Sequence, residues 1–241
     1  LSDGSYSVTG TKIFITGGDH DLADNIVHLV LAKLLDAPAG SRGISLFLVP
    51  KFAVAEDGSL QGENGVSCGA LEHKMGIKSS ATCVMNFDAA RGYLVGDLNR
   101  GLQCMFTMMN CERLSIGIQG LGCGDASYQS AVRYALERLQ GRSLAESGGN
   151  ASADPIIVHP DVRRMLLDMK AKTEATRALA YYVAAELDVA ERHTDADRRA
   201  AAQARVDLLT PVIKAWGSDT SIEVASTGVQ VHGGMGFIEE T

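Results

Sequence analysis

The chain contains 241 residues, 46% of them hydrophobic and 21% charged, which excludes a disordered tail or a miniprotein stapled by disulfides. Lys and Arg number 22 against 29 Asp and Glu, a formal net charge of −7, so the chain lacks the basic surface that nucleic-acid binding requires. No run approaches the roughly 20 apolar residues that a membrane span needs. The 5 cysteines form no CxxC pair and the 6 histidines show no metal-ligand spacing, which predicts reduced thiols, no metal site and a cytoplasmic location.

Short β-rich runs separated by turn residues occupy the first hundred residues. Runs of roughly four to eight residues with Gly, Asn and Asp between them are typical of antiparallel strands. The predicted strands cover residues 6–8, 12–16, 26–32, 44–49, 70–75 and 82–87. We therefore expect residues 1–100 to form an antiparallel β-sheet or barrel domain.

From Gly101 onward the apolar residues recur at helical spacing, which predicts three long helices. They cover residues 101–138, 160–192 and 195–231, with a Gly-rich linker at 148–152. Asp195 is the predicted N-cap of the third helix, which Pro211 should kink or interrupt with a turn.

Three long helices with short connections make most of an antiparallel bundle. We therefore expect residues 101–241 to form a helical domain of the four-helix-bundle type, and the whole chain to be a multidomain α+β protein. Neither end carries a targeting signal, and the last residues carry no helix stop. We expect both ends to be cuts through a longer protein.

The segment Lys12–Gly18 offers the first candidate site. On a strand, Phe14 and Thr16 point to the same face, so a flat redox ring could stack on the phenyl ring while the hydroxyl bonds a ring nitrogen. An ordinary half-buried strand explains the same residues, and this stretch alone favours that simpler interpretation.

A second candidate lies inside the first predicted helix, at Asn110-Cys-Glu112-Arg113. Adjacent helix positions do not face each other, so Glu112 and Arg113 do not make a simple surface ion pair. Neighbouring methionines would desolvate the Glu112 carboxylate, as suits a base that abstracts a proton. A glutamate that faces water at the edge of the bundle is an equally good interpretation.

The third candidate is the glycine-rich end of the last predicted helix, Gly228–Phe237. Glycines let a pyrophosphate approach the backbone closely, and Gln230 offers hydrogen-bond donors and acceptors. A helix C-cap accounts for Gly233 but leaves Gly234 and Gly236 unexplained.

Taken together and in this order, the motifs resemble the acyl-CoA dehydrogenase family of flavoproteins over essentially the whole chain. Gly10–Gly18 is similar to the family's Gly-x-Lys-x-Trp-Ile-Thr-Asn strand, and Glu72–Ser80 to its Lys-Met-Gly-x-Arg-x-Ser turn. Gly101–Arg113 and Ala135–Arg138 resemble the two ends of its long substrate-lining helix. Gly228–Phe237 is similar to its Gln-x-x-Gly-Gly-x-Gly-Phe motif.

The resemblance implies FAD as cofactor, with Thr16 bonded to the flavin and Phe14 in the place of a tryptophan that packs against it. It implies that Arg138 meets the pyrophosphate of FAD. It implies that the ADP part of an FAD from a neighbouring subunit is bound by Gln230, Gly233 and Gly234. It also implies that Asn110 and Arg113 line the acyl-CoA tunnel. The implied partners are a second copy in a homodimer or homotetramer and an electron-transferring flavoprotein as electron acceptor.

The family's α-proton base is a glutamate at one of two places. In some members it lies beside the helix arginine, where this chain has Glu112, and commonly it follows the glycine motif, which would put it beyond Thr241. Residues 153–165 resemble a large-subunit bacterial branch that includes enzymes acting on 3-methylthiopropionyl-CoA and usually uses the downstream glutamate. Glu112 is therefore a candidate base only.

The reaction that the resemblance implies is α,β-dehydrogenation of an acyl-CoA thioester, in which a carboxylate takes the α-proton and flavin N5 takes the β-hydride. Two alternatives stay open. One is an acyl-CoA oxidase or nitroalkane-type oxidase on the same scaffold, and the other is a non-catalytic helical binding module. The isolated chain of 241 residues is expected to be inactive.

Overall fold

The computed structural model describes residues 1–143 and 152–240. The predicted linker at 148–152 lies, apart from its last residue, outside the described residues. The chain divides into two compact units, Leu1–Met108 and Met109–Thr241. Strands occupy the first unit, and the second unit is helical. This arrangement confirms the predicted α+β fold class.

The first unit is built around one long central strand. Its strands are β1 (Tyr6–Thr16), β2 (Val27–Lys33), β3 (Ile44–Pro50), β4 (Phe52–Val54), β5 (Leu60–Glu63), β6 (Val66–Leu71) and β7 (Thr82–Val95), with a 3-10 turn at Gly40–Gly43. One edge of β7 pairs with β1, and its other edge pairs first with β6 and then with β3. The edge strand β2 pairs with β3, and β4 with β5 forms a separate hairpin. Every pairing is antiparallel, as predicted.

Several predicted strands differ from the observed ones, and the run 82–87 is only the first part of the longer strand β7. The runs 6–8 and 12–16 belong to one strand, β1, which continues through two register shifts against β7. The strand predicted at 70–75 ends at Leu71 instead, because the pairing of Leu71 with Cys83 is the last one before β7 begins. Residues 72–75 have no partner strand and form part of the loop that returns to Thr82.

The core of this unit is made by side chains that alternate toward one face of the sheet. Its buried members are Val8, Val30, Phe47, Val49, Val66, Cys83, Met85, Phe87 and Ala90. β3 is buried along most of its length, as expected of its nearly continuous apolar sequence.

Within the described residues, three α-helices follow the strands: α1 (Gly101–Glu137), α2 (Pro160–Arg192) and α3 (Ala196–His232). Single 3-10 turns precede α2 at Ile156–Val158 and follow α3 at Gly233–Phe237. The predicted N-cap of α3 is confirmed, since the Asp195 carboxylate accepts hydrogen bonds from the backbone N–H groups of Asp197 and Arg198. The turn considered at Pro211 is not formed, because α3 runs unbroken through it.

Packing on either side of Pro211 explains why the helix continues. A proline inside a helix removes one backbone hydrogen bond and costs about 3 kcal/mol. Val206, Thr210 and Ile213 are all buried, and the Thr210 hydroxyl donates to the Val206 carbonyl at 2.7 Å. Tertiary burial of this face outweighs the local cost.

Glycines allow α1 and α3 to touch backbone to backbone. A Cβ on Gly217 would lie 2.6 Å from the carbonyl oxygen of Gly117, and one on Gly120 would overlap the carbonyl of Gly217. Polar links join the same helices to α2: Arg177 pairs with Asp125 at 2.9 Å, and Lys172 with Glu223 at 3.0 Å. These contacts hold the middle of α3 against α1 and α2.

The described helices also bear on membrane insertion. None of them combines the length and the apolar character that crossing a bilayer would require.

Candidate functional site

Phe14 leaves the regular strand geometry. The register of β1 against β7 shifts between Lys12 and Ile15, and Phe14 between them has a φ of 60°. Such a left-handed conformation is uncommon for a bulky residue and costs about 1–3 kcal/mol. The pairing of Lys12 with Met85 and of Ile15 with Cys83 holds it on both sides.

The consequence of this distortion is an aromatic ring directed away from the core. The Phe14 side chain is 67% exposed, whereas Ile15 packs against the core cluster. Thr16 is exposed as well, and its hydroxyl makes no hydrogen bond to another described residue. An ordinary half-buried strand therefore does not explain Phe14, and the first unit offers an exposed aromatic ring and, two residues later in the chain, an exposed hydroxyl.

Asn110 and Arg113 are brought together on α1. The Arg113 guanidinium donates to the Asn110 side-chain oxygen at 3.0 Å, and both residues are half-buried. Glu112 is exposed, and Met108 beside it is exposed too. The desolvated surroundings predicted for Glu112 are thus not formed within this chain, and its role as a base stays a prediction.

The three glycines after α3 differ in what they do for the fold. Gly233 caps the helix with a φ of 61°, a conformation that glycine adopts without strain. A Cβ on Gly236 would overlap the carbonyl oxygen of Val229, so glycine is required there for close packing. Gly234 has neither role, since a Cβ there would meet nothing within 4 Å and its φ is not positive. The fold explains Gly233 and Gly236, and a binding role for Gly234 stays a prediction.

His232 anchors this end of α3, although no sequence pattern singled it out. Its Nδ1 donates to the Gly228 carbonyl at 2.8 Å, because a carbonyl oxygen can only accept. In the neutral ring Nε2 then accepts from the Ser130 hydroxyl at 3.5 Å. The ring stacks on Tyr134 of α1 with centroids 4.5 Å apart. The glycine turn is therefore held by contacts whose partners are distant in sequence.

Gln230 and Arg138 present free polar groups. Both are exposed, and neither side chain bonds another residue in the described part of the chain. Yet the backbone of Arg138 is fixed, because its N–H donates to Tyr134 and its carbonyl accepts from Ile156, each at 2.8 Å. A guanidinium on a fixed backbone with all its donors available is suited to binding an anion.

The candidate residues thus fall into separate groups. Phe14 and Thr16 belong to the first unit. The other candidates belong to the second unit: Asn110, Glu112, Arg113, Arg138, Gln230, Gly233 and Gly234. Among the described residues, no three His, Cys, Asp or Glu side chains come together as a set of metal ligands.

Known proteins resemble this chain in sequence and in structure. The family model of the acyl-CoA dehydrogenase C-terminal domain matches residues 99–241. The 3-methylmercaptopropionyl-CoA dehydrogenase of Ruegeria pomeroyi is 52% identical over 239 residues, which cover 99% of this chain and 40% of that protein.

Two solved structures share the fold. The structure of ACDH-11 from Caenorhabditis elegans in complex with C11-CoA has a TM-score of 0.81 at 26% identity, covering 98% of this chain and 37% of that one. An acyl-CoA dehydrogenase from Bacillus anthracis complexed with FAD has a TM-score of 0.75 at 25% identity, covering 100% of this chain and 38% of that one.

The chain spans about 40% of the length of the curated relative it matches. The family model covers more than half of the chain, and the motifs identified above lie in the same order. The chain belongs to the acyl-CoA dehydrogenase family.

Proposed function

We propose that the full-length protein is an FAD-dependent acyl-CoA dehydrogenase that introduces a double bond between Cα and Cβ of an acyl-CoA thioester, as in fatty-acid β-oxidation. Residues 1–100 would be its middle β domain and residues 101–241 part of its C-terminal helical domain. The observation that carries the proposal is the strained, exposed Phe14, followed two residues later by Thr16 with an unbonded hydroxyl, in a chain of this family.

The residues present fit the ring end of FAD. A flat tricyclic ring needs an apolar surface to stack on and polar atoms at its edge. The exposed Phe14 ring supplies the surface, and the Thr16 hydroxyl can donate to or accept from a ring heteroatom. Backbone strain at Phe14 persists because it directs the ring outward, as strained residues at ligand sites commonly do.

The residues also fit the ADP end. A pyrophosphate needs a cation and backbone that it can approach closely. Arg138 provides an uncommitted guanidinium, and Gly233 with Gly234 provides backbone that no side chain covers. Gln230 adds an exposed amide that can bond a ribose or adenine. We propose that these residues serve an FAD molecule held by a neighbouring subunit, so the active protein would be a homodimer or homotetramer.

For the substrate, we propose that Asn110 and Arg113 line the path of the acyl-CoA. Their mutual hydrogen bond of 3.0 Å fixes the guanidinium, which can then orient a phosphate or carbonyl of the CoA part. Bound FAD would supply the acceptor of the β-hydride. A carboxylate of the protein would take the α-proton, and Glu112 and a residue beyond position 241 are the two candidates.

The relatives suggest which substrates to try first. One relative is named for 3-methylmercaptopropionyl-CoA and another, from Syntrophomonas wolfei, for butyryl-CoA. The test is anaerobic mixing of the full-length protein with 3-methylmercaptopropionyl-CoA, butyryl-CoA and octanoyl-CoA, followed by flavin absorbance. We expect bleaching by at least one short-chain thioester, and a protein that carries no flavin or is reduced by none of them would contradict the proposal.

Reoxidation separates the dehydrogenase from an oxidase. We propose an electron-transferring flavoprotein as the acceptor, so the reduced enzyme should be reoxidised much faster by that protein than by air-saturated buffer. The opposite order would favour an acyl-CoA oxidase or a nitroalkane-type oxidase on the same scaffold. A colourless full-length protein would favour the non-catalytic binding module instead.

A further inference from the structure

The first unit contains a cavity that the proposed activity does not use. It measures about 240 Å³ and lies within the curved sheet, bordered by β1, the edge strand β2, β7 and the first turns of α1. Its walls are mostly hydrocarbon, contributed by Ile15, Val30, Leu31, Met85, Phe87 and Met105. Ile15 lines the cavity, whereas Phe14 and Thr16, its neighbours in the chain, do not.

One wall carries a buried imidazole nitrogen. His28 lines the cavity, and its Nε2 is shielded from solvent without a hydrogen-bond partner among the described residues. The ring packs edge-on against Phe87, with centroids 5.9 Å apart. A buried polar atom that is left unbonded is destabilising, so a partner at this position would be favourable.

The second polar group is an ammonium with donors to spare. Lys12 also lines the cavity, and its Nζ donates to the carbonyl of Leu31 on the edge strand at 2.8 Å. An ammonium has three N–H donors, and within the described part of the chain no other acceptor uses them. The nearby charges of Asp19 and Lys51 neutralise each other in a salt bridge. Lys12 is therefore left as a cation at the rim of an apolar cavity.

We propose that this cavity is a binding site for a small aliphatic carboxylate, whose oxygens accept hydrogen bonds from His28 Nε2–H and the Lys12 ammonium. The neutral imidazole can place its proton on Nε2, and the hydrocarbon tail of the ligand would lie against Ile15, Val30, Met85 and Phe87. The cavity is larger than the roughly 150 Å³ that accommodates benzene, and smaller than a drug-sized pocket, so an acid of roughly five to eight carbons suits it.

Charge and shape distinguish this ligand from other occupants. A hydrocarbon alone would leave His28 Nε2 unbonded, and a cation would be repelled by Lys12. An acyl-CoA is too large and highly charged for a cavity of this volume. The inference concerns a free acid and stands independently of the proposed dehydrogenase reaction.

The test is ligand-observed NMR titration of hexanoate into the full-length protein. Wild type should bind with a dissociation constant on the order of 1 mM or below. Lys12→Met and His28→Phe should each weaken binding at least fivefold. Lys33→Met is the matched control, because Lys33 is an exposed lysine on β2 outside the cavity. This variant should bind hexanoate with a dissociation constant within twofold of that of wild type.

Two further measurements, with variants at the cavity entrance and with an uncharged ligand, keep the test decisive if a core variant fails to fold. Leu29 lies at the rim and is 44% exposed, so Leu29→Trp should block the entrance, whereas Leu35→Trp on the neighbouring loop should not. Hexanol in place of hexanoate should bind more weakly and without dependence on Lys12.

Three results would overturn the proposal. Wild type that binds no hexanoate would remove the site, and equal binding by Lys12→Met, Leu29→Trp and wild type would place the acid elsewhere. Displacement of hexanoate by a saturating enoyl-CoA product would assign the binding to the dehydrogenase site, whereas the cavity proposal expects both ligands to bind together.

Discussion

Phe14 joins backbone strain to an exposed ring, and one substitution removes both. Phe14→Gly removes the ring and relieves the positive φ, which costs a side chain about 1–2 kcal/mol. We expect the Tm of the full-length apoprotein to stay level or rise, while the FAD that survives gel filtration falls. Phe14→Trp should retain FAD at least as well as wild type, because the indole stacks more strongly. A variant Phe14→Gly that keeps its full complement of FAD would contradict the assigned role.

Substitution of Glu112 tests which residue accepts the α-proton of the substrate. Glu112→Gln keeps size and hydrogen bonding but removes the basic oxygen, and loss of a general base typically costs on the order of 10² to 10⁴ in rate. Because Glu112 is exposed in this chain, we expect flavin reduction by a saturating acyl-CoA to stay within about tenfold of wild type in stopped-flow measurements. A loss of about a hundredfold or more would assign the proton to Glu112 instead.

We expect His28 to make the stability of the fold depend on pH. Burial lowers its pKa below the usual value of 6.5, and the nearby Lys51 ammonium adds to this while Asp19 opposes it. Just below pH 6.5 the unfolded chain therefore binds more protons than the folded one, so stability is fully present above 6.5 and declines as the pH falls.

The corresponding measurement is the Tm of the full-length protein between about pH 5.5 and 7.5. His28→Gln cannot titrate, so its Tm should fall less steeply with decreasing pH than that of wild type. His73→Gln, a substitution on the exposed loop after β6, is the matched surface variant. Parallel curves for wild type and His28→Gln would contradict the lowered pKa.

At the scale of elements, the turn after α3 contains two glycines that should respond in opposite ways. Gly236→Ala places a Cβ against the Val229 carbonyl and should lower the Tm of the full-length protein by several degrees. Gly234→Ala meets no atom within 4 Å and should leave the Tm unchanged but weaken FAD retention. Both variants are compared with wild type by thermal unfolding and by the amount of flavin released on gel filtration. Equal flavin retention in Gly234→Ala and wild type would leave Gly234 without a function.

Local sequence patterns predicted the structural elements that neighbouring residues determine. The Asp195 cap and the bounds of α2 follow from residue types at neighbouring positions, and the structure confirms both. The unbroken path of α3 through Pro211 could not be predicted, because buried partners on other helices decide it. The same holds for the end of β6 at Leu71, which depends on where β7 begins.

The candidate site likewise has features that the local sequence reveals and features that depend on distant parts of the chain. The motif residues are visible in the sequence because each carries a recognisable type at a recognisable spacing. The positive φ of Phe14 is not visible in the sequence, since it arises from a register shift against β7, a strand about seventy residues later in the chain. His232 was missed because its anchoring partners, Ser130 and Tyr134, lie on another helix.

For the whole molecule, the surface of the helices indicates that further contacts of this chain are to be expected. Leu208 and Ile222 of α3 and Tyr181 of α2 are exposed to about 70%. Large apolar side chains at this density on long helices usually mark surfaces that are covered by other segments or subunits. The chain spans about 40% of the curated relative's length, and we expect other segments of the full-length protein or neighbouring subunits to cover them.

We therefore expect the isolated chain of 241 residues to associate with increasing concentration and to bind FAD weakly or not at all, whereas the full-length protein keeps it. Light scattering coupled to gel filtration, with absorbance read at flavin wavelengths, measures both properties at once. Leu208→Glu with Ile222→Glu in the isolated chain should reduce association without restoring FAD, because charge protects the exposed face but supplies no flavin contact. A monodisperse isolated chain carrying stoichiometric FAD would show that its own residues suffice for the cofactor.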